Sequence, residues 1–172
     1  NNIRLPLVSA SIAGKALQVR FIPNTKQSGS IITSTAGWAV DLVRHPSSSV
    51  LYYPQTSTVN GLLRTVDSST SKVDYGRIQV VSGSGRTIIA SSSYFRLFGD
   101  DYTNIMLNNQ SSRLVIIQTD GDQILYQETA SLSGLSTLWN NSTFVHIGGS
   151  GSMNLNNFDG VVDEIRLWGE NI

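Results

Sequence analysis

The sequence predicts an all-β fold, a two-layer antiparallel sandwich, on three observations. Short runs alternate apolar and polar residues along the whole chain, clusters of Gly, Asn, Asp, Ser and Pro separate them, and no segment sustains a helical period. A sheet that is apolar on one face must bury that face against another layer, and with no helix available the layer is a second sheet.

The elements follow in order. Residues 3–8 form a short apolar segment broken by Pro6, which suits an edge strand. Residues 17–22 alternate cleanly with Leu17, Val19 and Phe21 inward, and stop at Pro23-Asn24; residues 24–30 read as a loop. Residues 38–43 alternate again, with Trp38, Val40 and Leu42 on one face. Strands at 50–53 and 62–66 follow, separated by a Thr/Ser-rich connection. Residues 67–72 read as a polar loop, 77–81 as a strand, Ser82-Gly83-Ser84-Gly85 as a turn and 87–90 as the returning strand. Tyr94 to Phe98, Asn104 to Asn108, Arg113 to Thr119 and Gln123 to Thr129 complete the middle. Gly99-Asp100-Asp101 forms one tight turn, and Asp120-Gly121 between two alternating runs is a strong hairpin signal. Residues 132–139 have room for one short helical turn.

The closing stretch organises the rest. After a turn at Asp159-Gly160, simple alternation places Val161, Asp163, Ile165 and Leu167 on one face and Val162, Glu164, Arg166 and Trp168 on the other. Asp163 then falls on an aliphatic face, where a carboxylate is costly unless hydrogen-bonded; it is expected to accept backbone amides from a neighbouring loop. Phe158-Asp159-Gly160-Val161-Val162-Asp163-Glu164-Ile165-Arg166-Leu167-Trp168, preceded by Phe144-Val145-His146-Ile147-Gly148-Gly149, resembles the closing signature of laminin-G-like domains, the concanavalin A-like jelly rolls. The Asp-Gly hairpin upstream also has a counterpart in that family. The resemblance is close over about the last sixty residues and one of strand rhythm before them. It implies a jelly-roll sandwich and leaves the ligand open.

Length suits a single domain spanning residues 1–172. Because Asn1-Asn2 is not a natural start, the domain is expected to be mature or excised from a longer protein or assembly. Charged residues make up only 14% of the chain, so Ser, Thr and Asn carry its polarity. With a formal net charge of zero and no basic stripe, nucleic-acid binding is not expected. The absence of Cys rules out disulfides and thiolate metal sites, and no apolar run is long enough to span a bilayer, so membrane insertion is not expected.

Catalytic constellations are missing from the pattern. Glycoside hydrolysis needs two carboxylates about 5 to 9 Å apart. The hydrolases of the resembled family use a Glu-x-Asp-x-x-Glu or Glu-x-Asp-x-Glu strand, whereas Glu128, Glu164 and Glu170 stand apart from any second acid in that spacing. The two histidines, His45 and His146, have no Gly-x-Ser-x-Gly partner, and the 82–85 turn lacks the Lys-Ser/Thr of a phosphate loop. The domain is therefore expected not to be an enzyme and to require no cofactor.

Calcium is the one metal the resemblance implies as a candidate. Asp100 and Asp101 share one turn, and Asp120 and Asp122 flank another, so either turn offers oxygen ligands. Asp also forms turns without metal. Sugar recognition would use aromatic platforms beside amides. Trp139-Asn140-Asn141 and the Asn154, Asn156 and Asn157 loop flank the Ile-Gly-Gly strand, with Tyr52, Tyr53 and Tyr102 as further candidates.

The expected function is a non-catalytic extracellular module that recognises a glycan or a cell-surface protein, as in an adhesin or a phage or viral fibre, located outside the cell, on its surface or on a virion. The alternative is a structural module of a virion, tail or surface assembly that contacts neighbouring subunits only. A glycoside hydrolase ranks third.

Overall fold

The computed structural model describes residues 3–6, 16–46, 55–59, 62–66, 74–99, 101–110, 112–133, 144–149 and 153–168. Fourteen strands lie within them: β1 (Ile3–Pro6), β2 (Ala16–Pro23), β3 (Gly29–Ser34), β4 (Trp38–Arg44), β5 (Gln55–Val59), β6 (Leu62–Val66), β7 (Tyr75–Ser82), β8 (Thr87–Ser91), β9 (Phe95–Arg96), β10 (Thr103–Gln110), β11 (Arg113–Asp120), β12 (Gln123–Ser131), β13 (Phe144–Ile147) and β14 (Gly160–Trp168). They form two antiparallel sheets. The first runs β1-β13-β3-β4-β7-β8 with β9 also on β7, the second runs β12-β11-β10-β2-β14, and β5 and β6 pair separately. This is a jelly-roll sandwich, and its closing strand β14 sits at the edge of the second sheet beside β2.

Alternation explains the core. Leu17, Val19 and Phe21 of β2, Ile105 and Leu107 of β10, and Leu114 and Ile116 of β11 point from the second sheet onto Val40 and Leu42 of β4 and Ile78 and Val80 of β7 in the first. The Phe158 ring meets Phe21 edge-on at 5.7 Å, pinning the start of β14 to the core. Two ties join the layers at the β12 side. Ser133 N–H donates to Ile89 C=O at 2.9 Å. Glu128 of β12 accepts from the Ser93 amide at 2.6 Å, the Ser93 hydroxyl at 3.0 Å and the Tyr126 hydroxyl, while Tyr126 stacks on Phe95 with centroids 4.1 Å apart.

Three expectations are corrected. Residues 29–34 form strand β3 rather than ending a loop; every residue is buried, so GSIITS has no polar face to alternate with. Part of the Thr/Ser-rich connection is strand β5, paired residue for residue with β6. In β14 a register shift between Val162 and Glu164 leaves Asp163 as an extra residue. Past this bulge the faces exchange: Val162 and Ile165 pack on the core, and Glu164 lies opposite Arg20. Asp163 is about half exposed and pairs with Arg20 at 3.3 Å instead of capping a buried loop. The strand expected at 50–53, the 67–72 loop and most of the 132–139 segment lie outside the described residues.

Candidate functional site

The strand register of the second sheet builds a polar floor on its outer face. Arg20 of β2 stands opposite Asn104 of β10 and Glu164 of β14, and Asn104 stands opposite Thr119 of β11. Because directly opposed residues point to the same side, these side chains form one row across four strands. Gln18, two residues before Arg20, extends the row: its Nε2 donates to Asn104 Oδ1 at 3.0 Å, and Asn104 Nδ2 donates to Thr119 Oγ1 at 2.8 Å. The amide chain fixes both planar groups and leaves the Gln18 carbonyl oxygen and the Thr119 hydroxyl proton for a ligand.

Two turns raise walls around this floor. Gly99, Asp101 and Tyr102 precede β10, and Asp120-Gly121 closes the β11–β12 hairpin, where Gly121 adopts a φ of 55° that suits glycine. Together with Leu125, Arg96 and Gln118 they enclose a cleft of about 830 Å³. Gln118 Nε2 donates to Arg96 C=O at 3.1 Å, so the cleft sits where β9 of the first sheet meets the second. Tyr102 is 43% exposed, and the Arg20 guanidinium lies 4.7 Å from its ring centroid. Arg166 holds Glu164 at 2.5 Å and lies 5.9 Å from the centre of the Trp168 ring.

Of the residues singled out from the sequence, the structure brings Asp101, Tyr102 and Asp120 to this one cleft, although the two aspartates are nineteen positions apart. Asp122 is exposed in the same hairpin turn but does not line the cleft. Asn154, Asn156 and Asn157 belong elsewhere, in the loop laid against β3 of the first sheet. Asn154 Nδ2 donates to Asn157 Oδ1 at 2.8 Å, Asn156 C=O accepts from Ser30 N–H at 2.9 Å, and Asn156 Nδ2 donates to Ser28 C=O at 3.5 Å. Gly149, at a φ of 82°, leaves room for Asn154: a Cβ there would stand 2.2 Å from Asn154 Oδ1. Tyr52, Tyr53, Asp100, Trp139, Asn140 and Asn141 lie outside the described residues.

Sequence reasoning missed Gln18, Arg20, Asn104, Thr119 and Glu164. Their signal was present, since outward positions on alternating strands carry planar or charged hydrogen-bonding groups. Their convergence depends on β10 pairing with β2, across more than eighty residues of chain.

The loop against β3 also covers a buried charge. Asp41 of β4 is 1% exposed; it accepts from the Ser30 hydroxyl at 2.7 Å and pairs with Arg86, while Ser30 Oγ in turn accepts the Leu155 amide at 2.8 Å. Burial pushes the Asp41 carboxyl above the ordinary aspartate range, and the Ser30 and Arg86 contacts offset part of that rise. This is the loop-fastening carboxylate expected at Asp163.

Among the described residues no three acidic or histidine side chains gather closely enough to hold a metal ion. The Asp101 and Asp120 turns supply acceptors suited to hydroxyl donors as well as to cations.

No protein-family model matches the sequence, and no curated protein matches it. Solved structures are similar in fold. A heptameric SAP-like pentraxin from Limulus polyphemus aligns at a TM-score of 0.53 and 10% identity, over 99% of this chain and 70% of its own. The exoplasmic/lumenal domain of VIP36, in a Ca2+/Man2-bound form, aligns at 0.52 and 13%, over 94% and 68%. A carbohydrate-binding module, CBM40, of a Ruminococcus gnavus sialidase, bound to α2,3-sialyllactose, aligns at 0.50 and 7%, over 95% and 79%. At these identities the likeness is one of architecture: the chain is a concanavalin A-like jelly-roll sandwich.

Proposed function

We propose that this domain is a non-catalytic glycan-binding module whose site is the cleft at the Tyr102 end of the second sheet. The observation that carries the proposal is the composition and order of that cleft. A pyranose presents an apolar face and a rim of hydroxyls that donate and accept at fixed angles. Tyr102 offers an exposed ring, with its orientation steadied by Arg20, and Gln18, Asn104, Thr119, Asp101 and Asp120 surround it with donors and acceptors. The Gln18–Asn104–Thr119 chain holds its groups in place before a ligand arrives, which lowers the ordering cost of binding. The fold likeness to sugar-bound modules, among them the CBM40 with sialyllactose and VIP36 with mannose, supports the same reading.

The proposal places the module outside the cell or on a virion, where a low charge and a surface of hydroxyls and amides are common. Of the three carboxylates that line the cleft, Glu164 is held by Arg166, which favours binding without turnover.

The experiment is a glycan-array screen of the folded domain in calcium and again in chelator, with Tyr102→Ala beside the wild type. Binding that Tyr102→Ala removes supports the cleft as the site, and persistence in chelator assigns recognition to the protein groups alone. Silence from a folded sample in both conditions would overturn the proposal. Release of reducing sugar from bound oligosaccharides would overturn its non-catalytic part.

A further inference from the structure

Charges in the cleft are unevenly matched, and the imbalance bears on which glycans enter. Both guanidinium groups that line it are engaged. Arg20 pairs with Asp163 at 3.3 Å and stacks on Tyr102, and Arg96 pairs at 3.4 Å with Asp74, which Lys26 also contacts. Glu164 in turn is paired by Arg166. Asp101 and Asp120 are different: both are exposed, both line the cleft from facing turns, and neither has a cationic partner among the described residues. The space a ligand would occupy is therefore bordered by two carboxylates without a cationic partner among the described residues, against one surplus positive charge where Lys26 and Arg96 share Asp74.

We infer that the cleft selects uncharged glycans and rejects those ending in sialic acid, uronic acid or sulfate. The inference rests on the glycan-binding reading of the same cleft and goes further by naming the ligand class. Two consequences follow from ordinary electrostatics. A ligand carboxylate or sulfate seated here meets Asp101 and Asp120 as like charges, at a cost that the part-enclosed surroundings screen less well than open water. A neutral sugar hydroxyl donates to the same oxygens in charge-assisted hydrogen bonds, stronger than bonds to neutral acceptors. An acidic sugar would instead need a guanidinium for bidentate pairing, and would have to draw Arg20 from Asp163 or Arg96 from the Asp74 it shares with Lys26. The similarly folded CBM40 is bound to sialyllactose, an acidic sugar of the kind this cleft would reject.

The test is an array of matched pairs, each neutral oligosaccharide beside the same structure carrying terminal sialic acid or sulfate, followed by titration of the best pair. Wild type is expected to bind the neutral member at least about tenfold more tightly. The Asp101→Asn/Asp120→Asn variant, whose substitutions lie in exposed turns, is expected to narrow that ratio by several-fold while keeping its melting temperature. Raising salt should narrow the wild-type ratio and leave the variant's unchanged. Equal or tighter binding of the acidic member by wild type, or a ratio unmoved in the variant, would overturn the charge selection and leave glycan binding standing. No binding of either member would overturn the glycan reading and this inference with it.

Discussion

Asp41 and Asp163 lie on strands of opposite sheets, and each pairs with an arginine, yet they do different work. Asp41 is sealed under the 153–157 loop, with both oxygens occupied by Ser30 and Arg86. Asp163 stands on a bulge in water, facing an Arg20 that is itself about half exposed. The buried pair cannot be broken without leaving a charge in a poorly solvated place, so it fastens the loop to the first sheet. The exposed pair contributes little to stability, but it sets the charge and posture of Arg20 beneath Tyr102. One outer face is covered at Asp41 by the 153–157 loop; the other is open at the cleft.

The largest effect that would break this contrast is on stability. Asp41→Ala should cost about 3 kcal/mol in urea unfolding, because Arg86 loses its buried partner. A loss below about 1 kcal/mol would show that the loop is held by other means. Next comes the ligand side. Tyr102→Ala should weaken glycan binding by about tenfold or more with an unchanged melting temperature, as measured by calorimetry and thermal unfolding. Binding lost together with stability would instead make the ring a structural prop.

The pH dependence of stability sharpens the comparison further. Burial acts to raise the Glu128 carboxyl, but the Tyr126 hydroxyl and the amide and hydroxyl of Ser93 outweigh it and hold the group below the ordinary value of 4.5. Its bonds therefore stabilise the fold above the unfolded value and are lost as pH falls through the folded one. Glu128→Gln should make the acid limb of the stability profile shallower. Asp41 has the opposite sign. Its raised carboxyl takes up a proton more readily in the fold, so its contribution falls as pH rises from 3.8 through the folded value. The smallest effect is expected at Asp163→Ala, below about 1 kcal/mol and reduced further by salt; a larger loss would mean that Asp163 anchors the fold after all.

Much of the architecture was legible in the sequence because half-buried strands advertise themselves by alternation. Residues 17–22 and 113–119, the Asp120-Gly121 hairpin and the closing strand all emerged from pattern alone. The fully buried β3 did not, because burial on both faces removes the polar half of the pattern. The candidate site was legible in fragments. Asp101, Tyr102 and Asp120 stood out as turn and aromatic residues, but nothing local joined the neighbours Asp101 and Tyr102 to Asp120, and the Asn154–Asn157 loop, also singled out, lies apart from them against β3.

By itself the sequence determined the fold class, because a period of two and regular turn chemistry are local properties that each segment carries wherever it is placed. Tertiary structure alone decided which carboxylate is buried and which residues share a cleft. A single extra residue in β14 exchanged the faces beyond it and moved Asp163 into water, and the pairing of β10 with β2 brought Gln18 to Asn104 across the chain. Both depend on register, and register is set by the partner strand rather than by the segment that obeys it.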